Sequence, residues 1–410
     1  MLQKAWWAAL YLCLWTGTSG VSWADTLTIP FTKLEDYAER ESAQAVILDR
    51  QLKLISAERD EALQWSNPEI AFDREDVGLA ENQFTLGKTF EVPWAYWRNR
   101  ASWRTRVDAA NSAHESGTRQ LLANLKTDYV RLRLLDDQLD RLSHLEAIIP
   151  DVSRVIASRR TEGHISGIDE QLVRMVLVTL HTARQQALRT RGEVDAEWRA
   201  LMGIEPETPV RLSTPIPFRT VAVESSASYA VAVESNPGYQ SRRLQSDFFR
   251  SQAGVAKGRF IPSVGLYGGY KEIELNETGY VLGVSLTLPL FNRSGAQARQ
   301  HEIRAELANR EADAFRIQAT MRVDGLVKSI NASQAAMSSI GELPEGSDLT
   351  SALLQSYEEG WISLHELLNA IQVTVTGLTD YHEQLAALYA DVFELEAITG
   401  KSVIELSSEE

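Results

Sequence analysis

From Tyr280 to Leu290 every second residue is large and apolar: Tyr280, Leu282, Val284, Leu286, Leu288 and Leu290 alternate with Val281, Gly283, Ser285, Thr287 and Pro289. An earlier stretch repeats the pattern: Phe84, Leu86, Phe90 and Val92 alternate with Gln83, Thr85, Gly87, Thr89 and Glu91, and Lys88 alone interrupts the apolar row. Period-two alternation over about ten residues predicts a strand with one greasy face and one small or polar face. Each strand has a weaker partner just before it, marked by Ile70 and Phe72 in the first case and by Val264, Leu266 and Tyr270 in the second. Strands of this length and pattern suit a bilayer, but a bilayer tolerates no open strand edge, because unpaired backbone groups find no water there. Four such strands cannot close a membrane barrel, which needs about eight or more. Three copies of the chain would bring twelve strands, whereas two copies would bring eight, with an interior filled by side chains.

The strand pairs belong to a duplication. Pro68 recurs as Pro262, Pro93 as Pro289, Glu162-Gly163-His164-Ile165-Ser166 as Glu359-Gly360-Trp361-Ile362-Ser363, and Leu201-Met202-Gly203 as Ile398-Thr399-Gly400. The spacing of these four landmarks stays near 195 residues, which predicts two copies of one unit. The first repeat spans 25–203, with strands near 68–76 and 83–92. A linker at 204–222 carries Pro206, Pro209, Pro215 and Pro217, a density that stops helices. The second repeat spans 223–400, with strands near 262–272 and 279–290, and 401–410 is a tail.

Around the strands the chain reads as long helices. Trp94 to Arg160 is expected to form one helix on the order of 100 Å long. Its apolar residues Leu121, Leu125, Tyr129, Leu132, Leu135, Leu139, Leu142, Leu145 and Ile149 recur with a mean spacing of 3.5, the coiled-coil period. Shorter helices, Phe31 to Ser66 and Ile168 to Met202, would stack end to end beside it. The second repeat offers Val223 to Arg259 and Leu364 to Thr399 around a long stretch interrupted at Gly341 to Gly346.

Residues 1–24 read as a secretory signal peptide: Lys4, an apolar Ala5 to Trp15, and Ser22-Trp23-Ala24 as the cleavage site. Its removal would take away the single cysteine, Cys13, and one positive charge from a chain of net charge −15, leaving −15 − 1 = −16. That composition excludes disulfides and thiol chemistry, and an acidic chain argues against nucleic acid as a partner. Catalytic signatures are missing. His365-Glu366-Leu367-Leu368-Asn369 lacks the second histidine of a zinc protease, and Gly400-Lys401-Ser402 lacks the upstream glycine of a phosphate loop. The seven histidines read as surface helix residues without ligand spacing, so no metal site or cofactor is expected, and Asp136, Asp137 and Asp140 read as a solvated face.

With the proline-flanked strands Ile261-Pro262-Ser263-Val264-Gly265 and Gly283 through Gly295, and with Tyr357 through Ala370, the chain resembles the TolC-like outer membrane efflux protein family. Leu288-Pro289-Leu290-Phe291-Asn292-Arg293 looks most like its CzcC heavy-metal efflux branch. The resemblance implies a mostly α fold with a small membrane β part: long antiparallel coiled-coil helices plus four strands per protomer. Three protomers would form a 12-stranded β-barrel and a 12-rod α-helical periplasmic tunnel. It also implies a homotrimer in the outer membrane of a Gram-negative cell, surrounded by outer-membrane lipid. Its partners would be a periplasmic adaptor (membrane fusion protein) and an inner-membrane pump of the RND type.

By resemblance, the adaptor would dock on the helical turns containing Gly163, Ile165 and Ser166, and Gly360, Ile362 and Ser363. Glu358, Glu359 and Glu366 would line a periplasmic aperture. Trp94, Tyr96, Trp97 and Phe291, at strand ends, would mark the membrane boundary. The function expected is passive, non-enzymatic export of metal cations. Drugs, other small molecules or a type I secreted protein are alternative cargoes, and a periplasmic adaptor or a structural coiled coil is the alternative class.

Overall fold

The computed structural model describes residues 26–76, 80–90, 93–147, 149–161, 167–258, 262–273, 277–288, 294–340 and 346–404. The expected leader, Gly163, Ile165 and Ser166 of the first turn, and Phe291 lie outside these residues. In chain order the elements are β1 (Leu27–Ile29), α1 (Leu34–Glu41), α2 (Ala43–Ala62), β2 (Glu69–Glu75), β3 (Glu81–Phe90), α3 (Pro93–Ala147), α4 (Ile149–Thr161) and α5 (Gly167–Met202). There follow β4 (Val210–Leu212), α6 (Ser226–Glu234), α7 (Pro237–Gly258), β5 (Ser263–Ile273), β6 (Glu277–Thr287), α8 (Gly295–Ile340), α9 (Gly346–Glu358) and α10 (Leu364–Thr399).

The four expected strands form one antiparallel sheet in the order β2-β3-β5-β6, within two residues of their expected starts. The helices are more broken than expected. The stretch from Trp94 to Arg160 is helical on both sides of residue 148, which lies outside the described residues, as α3 and α4. Ser42 divides the first helical stretch: its hydroxyl accepts from the Ala45 N–H, capping α2, and donates to the Leu201 carbonyl at 2.7 Å. Pro237 opens α7, with the Asn236 side chain accepting from the Gly238 N–H at 2.7 Å. Even so, α3 alone has 55 residues, about 80 Å of helix.

A short parallel pair, β1 with β4, joins the start of the chain to the proline-rich linker. Three residues are too few to show a period, so the pair leaves no pattern to read. Aromatic hydroxyls and one amide fix the linker to the helices. The Tyr129 hydroxyl donates to the Ile29 carbonyl at 2.9 Å and accepts from the Thr214 N–H at 3.2 Å. The Tyr389 hydroxyl donates to the Pro217 carbonyl at 2.6 Å, and burial pushes this phenol up to about 12. Gln334 accepts from the Val221 N–H at 2.8 Å.

Buried apolar packing lies in the helices, the linker and the β1–β4 pair, not in the four-stranded sheet. One buried cluster at the linker level gathers Leu34, Tyr129, Trp198, Met202, Tyr229, Ile330, Tyr389 and Phe393. A second, farther along the rod, gathers Leu142, Leu145, Ile156, Leu180, Tyr357, Leu367 and Ile371. The 3.5-residue spacing on α3 supplies both: Leu121, Leu125, Tyr129 and Leu132 enter the first, Leu135, Leu142 and Leu145 the second.

Within the sheet, Tyr267 sits in register between Gly87 on one neighbour and Gly283 on the other. A Cβ on Gly283 would fall inside the Tyr267 ring, so glycine is required by close approach. We expect Gly283→Val to cut the yield of folded protein on refolding into detergent, and Gly283→Val with Tyr267→Ser to restore it. Equal yields for the single and double variants would show that the ring does not set this contact.

Candidate functional site: the exposed sheet and the far helical turn

The register of the sheet assembles two unlike faces. On one, Phe72, Phe84, Tyr270 and Tyr280 form a row across all four strands, followed by Ile70, Leu86, Gly268 and Leu282. The next row toward the helices is Lys88, Leu266 and Val284, and Phe90, Val264 and Leu286 form a fourth. Tyr280 is 91% and Leu282 is 87% exposed, and the Phe72 and Phe84 rings meet at 4.7 Å. An apolar surface this continuous marks a contact with another apolar phase. The opposite face carries Asp73, Gln83, Lys271 and Gly279 in one row and Ala71, Thr85, Gly269 and Val281 in the next. Strands β2 and β6 each pair on one side only, which leaves two open edges. Among the described residues no helix is long and apolar enough to cross a membrane.

The aromatic residues at the strand ends divide. Trp97 is exposed and meets Tyr96 at 5.9 Å; Tyr96 in turn meets Trp65 at 5.7 Å. The Lys88 ammonium, the one charge in the apolar row, reaches over the Trp65 ring at 5.2 Å, so its stem lies on the greasy face while its charge sits among aromatics. Trp94 turns inward instead and packs on Gly258 of α7. Trp65 escaped the sequence reading because it precedes a weakly patterned strand.

At the far end of the rod the turn between α9 and α10 is fully specified. Gly360 takes φ +81°, and its N–H bonds the Tyr357 carbonyl while the Trp361 N–H bonds Ser356 at 2.8 Å. These two bonds close α9 with a Schellman motif, which needs the left-handed residue. Ser363 then caps α10: its hydroxyl accepts from the Glu366 N–H, and its own N–H donates to the Glu366 carboxylate at 2.7 Å. Those bonds from Ser363 hold the Glu366 carboxyl below its ordinary value. Ile362 packs against the buried cluster that contains Leu367, whereas Trp361 is 80% exposed. Glu358 and Glu359 are exposed on the last turn of α9, and Glu359 accepts from the Gln355 amide at 2.8 Å.

Comparison with known proteins agrees with this geometry. Residues 229–401 match the family described as outer membrane efflux protein. The chain is 30% identical over 129 residues to the nickel and cobalt resistance protein CnrC of Cupriavidus metallidurans, covering 31% of this chain and 29% of that protein. It is also 30% identical over 89 residues to the nickel-cobalt-cadmium resistance protein NccC of Alcaligenes xylosoxydans xylosoxydans, covering 21% and 20%. The matched part thus spans under a third of the length of either relative. The fold is that of solved outer-membrane channels: OprN with a TM-score of 0.73 at 14% identity, covering 90% of this chain and 89% of that one, and CusC with 0.70 at 14%, covering 90% and 92%.

The matched region is tied to the first half by a histidine–carboxylate contact that the sequence reading did not find. His382 of α10 was expected on the surface but is 4% exposed. Its Nε2 faces the Asp137 carboxylate of α3 at 2.9 Å, and its Nδ1 faces the Leu378 carbonyl at 2.8 Å. Both partners are hydrogen-bond acceptors. Asp136 and Asp137, expected on a solvated face, are both engaged: Asp136 accepts from Arg191 at 2.6 Å and Asp137 also from Arg141 at 2.9 Å. The bond from His382 holds the Asp137 carboxyl down to about 2. Among the described residues no group of three His, Cys, Asp or Glu side chains is arranged to hold a metal ion.

A carboxyl depressed in the folded state stabilises above its unfolded pKa, and that contribution is lost as pH falls through the folded value. For Asp137 the window runs from about pH 4 down to about 2. Because Asp137 is 42% exposed, we expect Asp137→Asn to cost only on the order of 1 kcal/mol at neutral pH. The variant should also flatten the acid limb of the thermal melt followed by circular dichroism. An unchanged acid limb would remove this pair as its cause.

Proposed function

We propose that three copies of this chain form a passive export duct in the outer membrane, each giving four strands to a closed barrel of twelve. The observation that carries the reading is the sheet with one continuous exposed apolar face and two open edges. Lipid would cover that face, and lipid forbids open edges, so β6 of one copy has to meet β2 of the next. Twelve strands leave a lumen, and the small and polar face of the sheet would line it. The helical rods of three copies would continue the wall as a tunnel into the periplasm, with Trp65, Tyr96 and Trp97 at the lipid boundary.

We further propose divalent metal cations as the cargo. The support is the similarity to CnrC and NccC, whose names record resistance to nickel, cobalt and cadmium. The duct would do no chemistry, and an inner-membrane pump joined through a periplasmic adaptor would supply the energy. The far turn at Gly360, Ile362 and Ser363 would receive the adaptor, together with the turn at Gly163, Ile165 and Ser166. The exposed carboxylates Glu358 and Glu359 are the candidates for a cation-attracting ring in a trimer, while Glu366 is bound into the helix cap.

Protein extracted from outer membranes should migrate as a trimer that heat dissociates, and deletion of the gene should lower tolerance to nickel, cobalt or cadmium. A water-soluble monomer needing no detergent would end the channel reading. Unchanged metal tolerance beside lost drug tolerance would replace the cargo. Trp361→Ala should leave the trimer and its melting temperature unchanged but reduce efflux, because the exposed ring holds nothing in its own chain. Full efflux in this variant would take the docking role from the turn.

A further inference from the structure

Between α3, α5 and β4 lies a cavity of about 240 Å³ that the duct does not use. Arg133, Asp136, Arg191, Asp195, Trp198 and Arg211 line it. Both carboxylates are occupied: Asp136 accepts from Arg191 at 2.6 Å, and Asp195 from Arg199 at 2.7 Å. Arg133 and Arg211 have no carboxylate within ion-pair distance among the described residues, so the cavity wall is cationic in a chain of net charge −15.

Two buried donors on this wall are left over. The indole Nε1 of Trp198, a residue 0% exposed, and the Nε of Arg133 both lack an acceptor among the described residues. Buried N–H groups are nearly always satisfied, and an orphan donor costs its full desolvation. Water could supply acceptors, but it brings no charge to two unpaired guanidinium groups. An oxyanion supplies both, and a guanidinium fork matches the geometry of carboxylate or phosphate oxygens. The neighbouring strand β4 is paired with β1 on one edge only, so its backbone adds further donors at the cavity.

We propose that this cavity binds a small oxyanion, a phosphate or carboxylate group, through Arg133, Arg211 and the Trp198 indole N–H. The site lies at the proline-rich linker and stands whether or not the chain transports metal. In the test, full-length protein in detergent is titrated with inorganic phosphate in one arm and succinate in the other, at ionic strength held constant with chloride, while the melting temperature is followed. A saturable rise with either anion is expected, and the responding arm identifies the group. Trp198→Phe and Arg211→Gln should each weaken the response about tenfold, the loss of one charge-assisted hydrogen bond, and Arg310→Gln on the exposed face of α8 should leave it intact. Arg211 is exposed, so its replacement leaves the core unchanged even if Trp198→Phe lowers the yield. No saturable response to either anion beyond chloride, or equal responses in wild type, Trp198→Phe and Arg211→Gln, would overturn the assignment.

Discussion

The constraint on which the rest of this molecule depends is the hydrogen-bonding demand of strand edges in an apolar medium. A sheet whose outer rows are Phe72, Phe84, Tyr270 and Tyr280 over Ile70, Leu86 and Leu282 gains little from water on that face. An apolar medium satisfies the side chains but not the edges of β2 and β6, so such a surface is complete only where further strands pair with those edges. The close approaches inside the sheet follow from this. With no side-chain core above or below it, the sheet gains cohesion where Tyr267 lies against Gly87 and Gly283.

Below the sheet the demand reverses, and the helices hold themselves together through two buried clusters. Between the two halves of the chain the proline-rich linker could have been a loose strap. Instead the hydroxyls of Tyr129 and Tyr389 and the amide of Gln334 take its backbone groups one by one. Buried polar groups bonded in this way specify one arrangement of chain, because any shift leaves a donor or acceptor unsatisfied in a dry environment. The His382–Asp137 pair does the same work farther along the rod, joining residues 245 positions apart.

The legible parts of this fold are those with a period. Two-residue alternation located the four strands of the sheet, two of them only as weaker partners, and the 3.5-residue spacing on α3 named the residues that reached the core. Interruptions were harder to read. Ser42 caps a helix through contacts that include Leu201, far away in sequence. The pairs His382–Asp137 and Arg191–Asp136 link different helices, so no local pattern announces them. The far turn falls between these cases: Gly360 and Ser363 declare a helix end and a helix start, but the capping role of Glu366 became visible only in three dimensions.

That capping role separates what the turn needs for its own shape from what it has to spare. The Schellman bonds of Gly360 and Trp361 and the reciprocal bonds of Ser363 and Glu366 satisfy backbone groups that helix ends otherwise expose. Ile362 anchors the turn to the buried cluster beneath. All of these residues are consumed in holding one conformation, which makes the turn rigid before any partner arrives. The indole of Trp361 takes no part through its side chain, yet it projects from a turn held at every backbone N–H around it. A large apolar ring on a preorganised support is what a partner helix can bind with the least loss of conformational freedom. The same reasoning moves attention at this turn from Glu366, whose charge is committed to its own helix, to Trp361.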